Sequence, residues 1–342
     1  MVHLTPMRAL VTGANGFLGT WLTRRLLAGG HAVRALVRPG SPPDALSGLD
    51  VERVRGDVTD PGSLPSAVRG CDLVFHLAGV RRAPRREDFL RVNAEGTRIL
   101  LEACAAHAPS LSRFVLAGSL AAAGPSATPR REEEPFAPRE WYGESKMEAE
   151  RLTLSWAGRI PVAVGRPPRI MGPGDRENLM FFRIARAGFL LAFGGAPRPL
   201  SWIDVEDCAR GMELLATRPE ALGESFFLAS PERTSVEGLQ REIARALGVR
   251  TRRIPVPEGL LRGLGSAADV VSRVLGRHLP LNRKLAEQVL APGWVCDPSK
   301  ASRLLGFEAT VGLAASVDRS ARWYVEKGWI AAPATPPAAA TK

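Results

Sequence analysis

The sequence predicts an α/β protein organised around a doubly wound parallel sheet. Through the first two-thirds of the chain, short β-rich runs alternate with amphipathic helical stretches, and this spacing is typical of parallel βαβ units. The first run leads directly into a glycine-rich turn that opens a helix. Hydrophobic residues make up 45% and charged residues 24% of the 342 residues, as is typical of a soluble globular protein with a substantial core.

The first half of the chain supplies most of the predicted sheet. The β-rich runs predict strands at 8–12, 32–37, 51–55, 73–76, 114–117 and 162–166. Apolar residues at helical spacing predict helices at 17–28, 63–68, 87–107 and 140–156. Glycine and proline mark several ends, such as Gly29-Gly30 after the first helix and Pro39-Gly40 after the second strand. Because a helix joins most successive strands, we expect the strands to be parallel.

The alternation loosens after Gly172. Helices are predicted at 179–187, 205–216, 235–247, 259–275 and 314–327, with short strands at 200–202 and 225–228. We therefore expect a first domain at 1–175, with later strands added from about 200–230, and a smaller mixed α/β C-terminal lobe at 176–330 that is interleaved with it. Residues 331–342 are rich in alanine and proline, and this low complexity predicts a disordered tail.

Charge and cysteine content exclude several classes of protein. The formal net charge is +11, and the arginines that produce it are spread along the whole chain. Their densest cluster has neither a recognisable nucleic-acid motif nor stacking aromatics beside it. We therefore expect a solvated or anion-facing surface and no nucleic-acid partner. The cluster comprises Arg81, Arg82, Arg85, Arg86 and Arg91. The four cysteines share no metal-ligand spacing, so we expect reduced core thiols and no metal site.

The sequence contains no pattern typical of a membrane span or a secretion signal. The longest nearly unbroken apolar stretch, 188–196, falls well short of the roughly 20 residues that a transmembrane helix needs. Residues 1–6 lack a positive segment followed by an apolar one. We therefore expect a cytoplasmic protein without a transmembrane segment.

The glycine-rich turn has the spacing of a phosphate-binding loop. Strand 8–12 is followed by Gly13-Ala-Asn-Gly16-Phe-Leu-Gly19, a G-x-x-G-x-x-G pattern. Glycine permits the tight turn and lets the backbone approach a pyrophosphate, which the positive helix N-terminus attracts. The alternative is a purely structural turn, but its position in a βαβ series favours a dinucleotide. The sequence therefore predicts a Rossmann-type dinucleotide-binding domain at 1–175 and a substrate-binding lobe at 176–330.

Residues after the second and third strands bear on the choice of cofactor. An acidic side chain after the second strand would bind the ribose 2′-hydroxyl of NAD, but Val37 and Arg38 stand there. Arg38 could pair with a 2′-phosphate, which favours NADP; otherwise it is one more exposed arginine and the cofactor is NAD. Asp57, in Gly56-Asp57-Val58, could accept a hydrogen bond from the adenine amino group or could be a turn or N-cap residue.

Tyr142 and Lys146 form the candidate catalytic pair. They are four residues apart at the start of the predicted helix 140–156, so they share one helix face. With two tyrosines and five lysines in the chain, chance would give about 0.03 pairs at this offset. A tyrosine has a pKa near 10 and is a poor base, but a nearby ammonium favours the phenolate and lowers that pKa. The alternative is an exposed pair on the helix surface.

Ser119 is the candidate for holding the substrate oxygen. It follows strand 114–117, at the carboxyl edge of the sheet where ligands bind in such folds. Its hydroxyl could bond the reacting carbonyl or alcohol beside Tyr142. Considered alone, a serine after a strand is more often a turn residue.

In order and spacing, these motifs resemble those of the extended short-chain dehydrogenase/reductase family. The resemblance covers nearly the whole chain to about Trp329. Besides the glycine loop, Ser119 and Tyr142-x-x-x-Lys146, it includes Gly56-Asp57-Val58, His76-Leu-Ala-Gly79, Val92-Asn93-Ala-Glu-Gly-Thr97, Arg166-Pro-Pro-Arg-Ile-Met-Gly and Ile203-Asp-Val-Glu-Asp207. It implies a Rossmann fold and a nicotinamide cofactor.

The resemblance also implies roles for individual residues. Cofactor binding is implied for Gly13, Gly16, Phe17 and Leu18 at the pyrophosphate, for Arg38, Asp57 and Val58 around the adenosine, and for Leu77, Ala78, Asn93, Tyr142 and Lys146 at the nicotinamide half. Ser119, Tyr142 and Lys146 would form the catalytic triad, and His76 would be structural. Members commonly dimerise through the helices that correspond to 87–107 and 140–156, so a homodimer is implied.

Departures from the family's patterns reduce the number of reactions that this chain is expected to catalyse. Sugar-nucleotide 4,6-dehydratases have an Asp-Glu pair after the catalytic hydroxyl residue, whereas Leu120-Ala121 follow Ser119 here. Sugar 4-epimerases tend to have Val-Tyr-Gly on that loop and Phe-Asn after a later strand, whereas this chain has Ala122-Ala123-Gly124 and Pro167-Pro168. Both features are closer to the 3β-hydroxysteroid dehydrogenase and dihydroflavonol reductase branch.

Two apolar segments of the C-terminal lobe bear on the substrate. One contains Phe181, Phe182, Phe189, Leu190, Leu191 and Phe193, and the other is the amphipathic helix 259–275. Apolar stripes at helical spacing are most often core. If some of these side chains line the cleft, the substrate is lipophilic, and if helix 259–275 is an exposed lid, it could contact a membrane surface.

We therefore expect an NAD(P)-dependent oxidoreductase that transfers a hydride between nicotinamide and an alcohol or ketone carbon of a lipophilic small molecule. The alternative is a nucleotide-sugar epimerase with tightly bound NAD, in which the arginine cluster and Arg198 would meet a diphosphate. A third interpretation is a dinucleotide-binding sensor without turnover, which the intact Tyr142 and Lys146 disfavour.

Overall fold

The computed structural model describes residues 6–41, 44–195, 197–275 and 283–331. The strands are β1 (Arg8–Thr12), β2 (Ala32–Val37), β3 (Val51–Arg55), β4 (Leu73–His76), β5 (Arg113–Ala117), β6 (Ser126–Arg130), β7 (Val162–Arg166), β8 (Arg169–Met171), β9 (Phe189–Phe193), β10 (Pro199–Asp204), β11 (Ser225–Phe227), β12 (Arg233–Ser235), β13 (Arg252–Val256) and β14 (Trp294–Cys296).

The α-helices lie between and after these strands along the chain. They are α1 (Phe17–Ala28), α2 (Leu64–Val68), α3 (Arg86–Phe89), α4 (Gly96–His107), α5 (Leu120–Ala123), α6 (Trp141–Ser155), α7 (Leu179–Arg186), α8 (Val205–Thr217), α9 (Val236–Ala246), α10 (Glu258–Leu275), α11 (Arg283–Val289), α12 (Ser299–Leu305) and α13 (Leu313–Glu326). A π-helical segment, Leu90–Glu95, joins α3 to α4, and single 3₁₀ turns lie at Asp44–Leu46, Pro61–Ser63 and Pro219–Ala221.

The main sheet is parallel and has the order β11-β7-β5-β4-β1-β2-β3 in the described part of the chain. In its centre, Ala9 of β1 lies opposite Val33 of β2 on one side and Leu73 of β4 on the other. The chain moves outward from β1 to β3 and then returns to the opposite side of β1. This reversal creates a switch point between β1 and β4, where ligands bind in such sheets. The predicted doubly wound Rossmann-type sheet is confirmed.

Alternating side chains divide the core of this sheet into two layers. Ala9 and Val11 face a cluster that includes α1 and α8, and Leu22 and Leu26 of α1 are fully buried in it. Leu10, between them in sequence, faces the opposite cluster, which includes α2, α4 and α6. Burial of both faces explains why the central strands β1, β4, β5 and β7 are nearly continuous hydrophobic runs, because helices cover each side.

The chain forms two compact units. The first comprises the described parts of Met1–Ile170, Ser201–Pro231 and Ala291–Thr310. It holds the main sheet and a smaller sheet in which β14 lies between β10 and β6, with β8 paired to β10. The second comprises the described parts of Met171–Leu200, Glu232–Leu290 and Val311–Lys342. It holds the parallel pair β9–β13 with α7, α9, α10, α11 and α13.

Several predicted elements need correction. The predicted continuous helix at 87–107 is wrong, because a π-helical segment at Leu90–Glu95 separates α3 from α4. The wider turn carries Asn93, whose side chain is buried and hydrogen-bonded to a distant loop. The predicted strand at 200–202 exists as β10 but belongs to the smaller sheet, whereas β11 joins the main sheet beside β7. The predicted disordered tail at 331–342 lies outside the described residues except for Ala331.

The apolar segments of the second unit are core only in part, since Phe189 is 44% exposed. Phe181, Phe182 and Leu190 are buried, and the Phe182 ring meets the Tyr324 ring edge-on at 4.8 Å. On α10, Leu261 packs against Ala286 and Leu290.

One face of α10 is apolar yet exposed. It contains Leu260, Leu264 and Val271, which are 53%, 47% and 41% exposed and lie four and then seven residues apart. The core interpretation therefore holds for only part of this helix, and its role as a lid or membrane contact stays a prediction. No helix in the described part of the chain combines the length and apolarity needed to cross a bilayer.

Candidate active site

The loops after β1 and β4 meet at the switch point of the sheet. Gly13 directly follows β1 and has a φ of +71°, a conformation that favours glycine. A Cβ atom at Gly13 would lie 2.8 Å from the Ala78 backbone nitrogen and 2.9 Å from the Leu77 carbonyl carbon. The structure thus brings together three residues predicted to bind the cofactor, and only glycine fits at this crossing.

The glycine loop then packs tightly against the start of α1. A Cβ atom at Gly19 would lie 2.1 Å from the Gly13 carbonyl oxygen, and one at Gly16 would lie 3.0 Å from the same oxygen. The first turn of α1 contains no acidic residue and Gly16 supplies no side-chain cap, while Phe17 and Leu18 are half-buried. This positive, closely approachable helix N-terminus fits a pyrophosphate, so the chain's own backbone is suited to a dinucleotide.

The adenosine side of the predicted site contains Arg38, Asp57 and Val58. Arg38 follows β2 and is exposed. One oxygen of the Asp57 carboxylate accepts hydrogen bonds from the backbone N–H and the hydroxyl of Thr59, each at 2.8 Å. Asp57 is therefore the turn residue that the sequence offered as an alternative, and its part in adenine binding stays a prediction. Val58 is buried, and a Cβ atom at Gly96 would lie 2.9 Å from its Cγ2.

A directed hydrogen-bond chain holds the loop after β4. Thr97 Oγ1 donates to the Asn93 carbonyl oxygen, so it accepts from His76 Nε2 at 2.9 Å. The other ring nitrogen, Nδ1, then accepts from Thr12 Oγ1 at 2.8 Å, and Thr12 Oγ1 accepts from the Ala78 backbone N–H at 3.1 Å. Burial, with a smaller contribution from Lys146, lowers the pKa of His76 to about 3. His76 is neutral and structural, as the family resemblance implied.

Asn93 joins this loop to α6. Its side chain accepts from the Val80 backbone N–H at 2.7 Å and donates to the Val80 carbonyl oxygen at 3.0 Å. It also donates to Ser145 Oγ at 2.8 Å, and Ser145 Oγ donates to the Tyr142 carbonyl oxygen. Both amide hydrogens of Asn93 are therefore used within the protein. The structure gives Asn93 a positioning role, and direct contact with nicotinamide stays a prediction.

Tyr142 and Lys146 lie one turn apart on α6, as their spacing predicted. The Glu140 carboxylate caps the helix by accepting from the Tyr142 and Gly143 backbone N–H groups. Tyr142 is half-buried, whereas Lys146 is only 6% exposed. Burial lowers the pKa of Lys146 to about 8, the carboxylate of Glu150 opposes this shift, and Arg81 adds to it. The Arg81 guanidinium lies 5.7 Å from the centre of the Tyr142 ring, a geometry in which a cation is attracted to the ring.

Ser119 lies just beyond β5 and caps the short helix α5. Its hydroxyl oxygen accepts from the Ala121 backbone N–H at 3.1 Å, and the side chain is nearly buried. The hydroxyl hydrogen is not used by this contact and can be donated to another oxygen. Helix α5 closely approaches α6, since a Cβ atom at Gly143 would lie 2.4 Å from the Ala121 carbonyl oxygen. Ser119 and Tyr142 thus lie at the N-terminal ends of two closely packed helices.

The chain's other tyrosine offers no comparable acid–base group. Tyr324 is fully buried, donates to the Asp175 carbonyl oxygen, and has a pKa raised by burial. Among the described residues, no three His, Cys, Asp or Glu side chains come together in a way that could hold a metal ion.

Sequence reasoning missed several polar residues that organise the site. Thr12 ends the first predicted strand and Ser145 lies between Tyr142 and Lys146, but neither was given a role. Arg81 was counted only as part of a charged cluster, although its guanidinium lies over the Tyr142 ring. Glu150 could have been found, because it continues the four-residue spacing of Tyr142 and Lys146 along α6.

Comparison with known proteins identifies the family. The profile of the NAD dependent epimerase/dehydratase family matches residues 9–229, which include the glycine loop, Ser119, Tyr142 and Lys146. The chain belongs to this family. The predicted membership of the extended short-chain dehydrogenase/reductase group is thereby confirmed.

Curated relatives of this epimerase/dehydratase chain include proteins named as a reductase, a sterol demethylase protein and a dehydrogenase. It is 30% identical to the ceramide reductase of Caulobacter vibrioides over 321 residues, which cover 94% of this chain and 95% of the relative. It is 32% identical to sterol demethylase protein B of Methylococcus capsulatus over 336 residues, with coverage of 95% and 100%. It is 28% identical to a 3β-hydroxysteroid dehydrogenase/Δ5→4-isomerase of Mycobacterium tuberculosis, with coverage of 88% and 86%. These names agree with the predicted branch of the family.

The fold of the epimerase/dehydratase chain is also found in solved structures. The crystal structure of gox2253 matches with a TM-score of 0.79 and 25% sequence identity, covering 94% of this chain and 98% of that one. The match extends well beyond residues 9–229, so both compact units have counterparts in a known structure.

Proposed function

We propose that this protein is an NAD(P)-dependent reductase or dehydrogenase that interconverts a ketone and an alcohol in a lipophilic small molecule. The observation that carries the proposal is the pair on α6: a half-buried Tyr142 one turn from a buried Lys146. A bound nicotinamide would supply or accept the hydride. The chain's own residues would handle the proton and orient the substrate oxygen.

Tyr142 is the proposed acid in reduction and base in oxidation. The ammonium of Lys146 and the guanidinium of Arg81 both favour its phenolate, because positive charge stabilises the ionised form. Ser119 is the proposed donor to the substrate oxygen, since its hydroxyl hydrogen is not used by the cap of α5. Lys146 would also bond the ribose hydroxyls of the cofactor, so these three residues form the proposed catalytic triad.

NADP is the proposed cofactor, with NAD as the alternative. Arg38 is exposed just after β2, where a carboxylate would be expected in an NAD-binding site. Its planar fork suits a 2′-phosphate. The remaining cofactor contacts are proposed for the glycine loop and for Leu77 and Ala78. The backbone of Leu77 and Ala78 lies against Gly13 of that loop.

A lipophilic substrate is supported by the names of the relatives. Ceramide reductase and sterol demethylase protein B both refer to lipids, and the two chains are matched over almost their full lengths. The proposed substrate-binding lobe is 176–330, and its α10 exposes the apolar face of Leu260, Leu264 and Val271. Such a face suits a lid or a peripheral membrane contact.

Further expectations belong to the same proposal. The helical regions 87–107 and 140–156 are the proposed dimer contact, as in the family that the sequence resembles. A cytoplasmic location is supported by the four buried cysteines, none of which forms a disulfide. We propose that the protein binds a small-molecule substrate and no nucleic acid.

A nucleotide-sugar epimerase is the second candidate, because the family includes epimerases. The two are separated by incubating stripped protein with NADPH and a panel of lipophilic ketones, and separately with NAD and UDP-sugars. Oxidation of NADPH that depends on a ketone supports the reductase. Sugar epimerisation without net change in cofactor, or protein from which NAD cannot be removed, would overturn it.

A further inference from the structure

Glu150 is a fully buried acidic residue on the same helix as the proposed catalytic pair. One carboxylate oxygen, Oε1, accepts from Arg166 Nε at 2.8 Å, lies 2.8 Å from Arg166 Nη2, and accepts from the Ser225 hydroxyl. Arg166 ends β7 and Ser225 begins β11, and both side chains are almost fully buried. The Glu150 carboxylate is thus fixed between α6 and two neighbouring strands of the main sheet.

The second carboxylate oxygen has a different environment. Oε2 is buried and has no hydrogen-bond partner among the described residues. It faces the backbone just before Ser119, because a Cβ atom at Gly118 would lie 3.5 Å from it. Lys146 is buried one turn earlier on α6, so its side chain shares the helix face of Glu150. A buried carboxylate oxygen without a donor is costly unless a positive charge lies near it.

We propose that Glu150 is a positioning residue for the active site: anchored by Arg166 and Ser225 through one oxygen, it uses the other to hold the Lys146 ammonium in its charged form. The inference rests on the proposed function, since the charge of Lys146 matters there for Tyr142. This anchoring role gives a reason for the buried ion pair between Glu150 and Arg166. It keeps the Glu150 carboxylate in place one turn from Lys146 on α6.

The other charged or titratable groups named near Lys146 do not stabilise its ammonium form. Arg81, on the loop after β4, disfavours its ammonium. His76, at the end of β4, is neutral because of its lowered pKa of about 3. Tyr142, one turn away, would be an uncharged phenol whenever it is ready to donate a proton. Glu150 is therefore the group that opposes the desolvation of Lys146.

Lysine-selective ¹³C NMR tests the proposal directly. The chain has only five lysines, Lys146, Lys284, Lys300, Lys327 and Lys342, so ¹³Cε-labelled lysine gives a simple spectrum. The Lys146→Arg variant assigns the signal. In the wild-type protein, Lys146 should titrate with a pKa of about 8. In Glu150→Gln, which keeps the size and an acceptor oxygen, this pKa should fall by about one pH unit or more.

The matched control is Glu148→Gln. Glu148 lies on the same helix, pairs with Arg151 and is partly exposed, so its loss should leave the Lys146 titration unchanged. If Glu150→Gln does not fold, the double variant Glu150→Met/Arg166→Met removes both buried charges together, which is often tolerated. It should lower the Lys146 pKa in the same way. An unchanged Lys146 pKa in the folded variant overturns the proposal.

A second measurement separates this proposal from the proposed function. The NMR titration needs neither cofactor nor substrate, so wild-type protein that reduces no ketone would contradict the proposed function and leave the titration decisive. In a functional enzyme, Glu150→Gln should also move the pH dependence of NADPH binding, followed by fluorescence, to lower pH. A general loss of binding at every pH, with the Lys146 pKa unchanged, would indicate a merely structural role.

Discussion

Asn93 donates from its side-chain amide to the hydroxyl of Ser145, 2.8 Å away, and this contact joins the π-helical turn to the helix that carries Tyr142. The same amide holds both backbone groups of Val80. The loop that would face the nicotinamide and the helix that bears the proposed acid are therefore fixed by one buried side chain.

Replacing Asn93 by Leu should destabilise both elements. The variant leaves the N–H and C=O of half-buried Val80 without the Asn93 side chain, and the loss of these contacts together should cost about 2–4 kcal/mol of unfolding free energy. Urea denaturation measures this cost. Ser145→Ala is the control: it removes fewer contacts and should cost only about 1 kcal/mol. Equal losses in the two variants would mean that the contacts to Val80 contribute little.

How far apart two interacting residues lie in the sequence explains which contacts the sequence could predict and which it could not. Tyr142 and Lys146 were predictable because their relation depends only on the local geometry of one helix. Asn93 and Ser145 are 52 residues apart, so their hydrogen bond requires the tertiary fold. The π-helical turn is also tertiary in origin, since nothing in its composition distinguishes it from α-helix.

The two larger sheets also differ in how far local sequence predicts them. The main-sheet strands were predicted with bounds close to those observed, because the central ones, β1, β4, β5 and β7, are hydrophobic runs buried on both faces and the edge strand β3 alternates between valine and charged residues. The smaller sheet was not predicted. Its strand β6 (Ser126–Arg130) has a weak β pattern and pairs with β14, which is more than 150 residues away in the chain. Such pairing is decided by the partner strand rather than by local propensity.

Gly13 should not tolerate a side chain. In Gly13→Ala, the added Cβ would meet the Ala78 backbone at 2.8 Å in a conformation with positive φ. We expect a loss of about 2–4 kcal/mol in stability and at least about a tenfold loss in cofactor affinity, since the loops at the switch point must separate. Denaturation and NADPH fluorescence titration measure the two effects.

The control for this variant is Gly30→Ala. Gly30 also has a positive φ, +82°, but open space surrounds the position of its Cβ. Only the conformational cost of about 1 kcal/mol should appear, with cofactor binding intact. If the two alanine variants behave alike, the close approach of Gly13 to Ala78 is not the constraint.

Arg38→Ala should change the preference for cofactor. If the guanidinium binds the 2′-phosphate, its loss should weaken NADPH binding by about tenfold or more and leave NADH binding unchanged. Thermal shifts measure this, because a ligand that binds only the folded state raises its apparent stability. Arg55→Ala, at the exposed end of the adjacent β3, should retain the preference. Wild-type protein that prefers NADH would contradict the assignment to Arg38.

Tyr142→Phe should separate chemistry from binding. The variant keeps the ring beneath Arg81 and removes only the hydroxyl, so the fold and cofactor affinity should persist. Turnover should fall by about 10²–10⁴-fold, the usual contribution of general acid–base catalysis. Steady-state rates and NADPH titration of the same preparation measure both quantities. A near-normal rate would mean that another group supplies the proton.

Lys146 should lower stability at neutral pH, because its charge is buried. Its pKa is about 8 in the folded protein, against 10.5 for an ordinary lysine. Between these values the unfolded chain binds more protons than the folded one, so this group makes stability rise as pH increases through the interval. Below about pH 8 the full cost applies, and above about pH 10.5 it disappears. The difference of 2.5 in pKa corresponds to about 3 kcal/mol.

Lys146→Met should therefore be more stable than the wild-type protein at pH 7 by about 3 kcal/mol, while losing turnover. The advantage should shrink steadily above pH 8 and vanish near pH 10.5, as followed by urea denaturation of both proteins at each pH. Other titrating groups cancel in this difference. Lys327→Met is the control, because the Lys327 ammonium is exposed to water and its removal should give no comparable gain. A constant difference between the Lys146 variant and wild type across this range would mean that packing, rather than the buried charge, decides its stability.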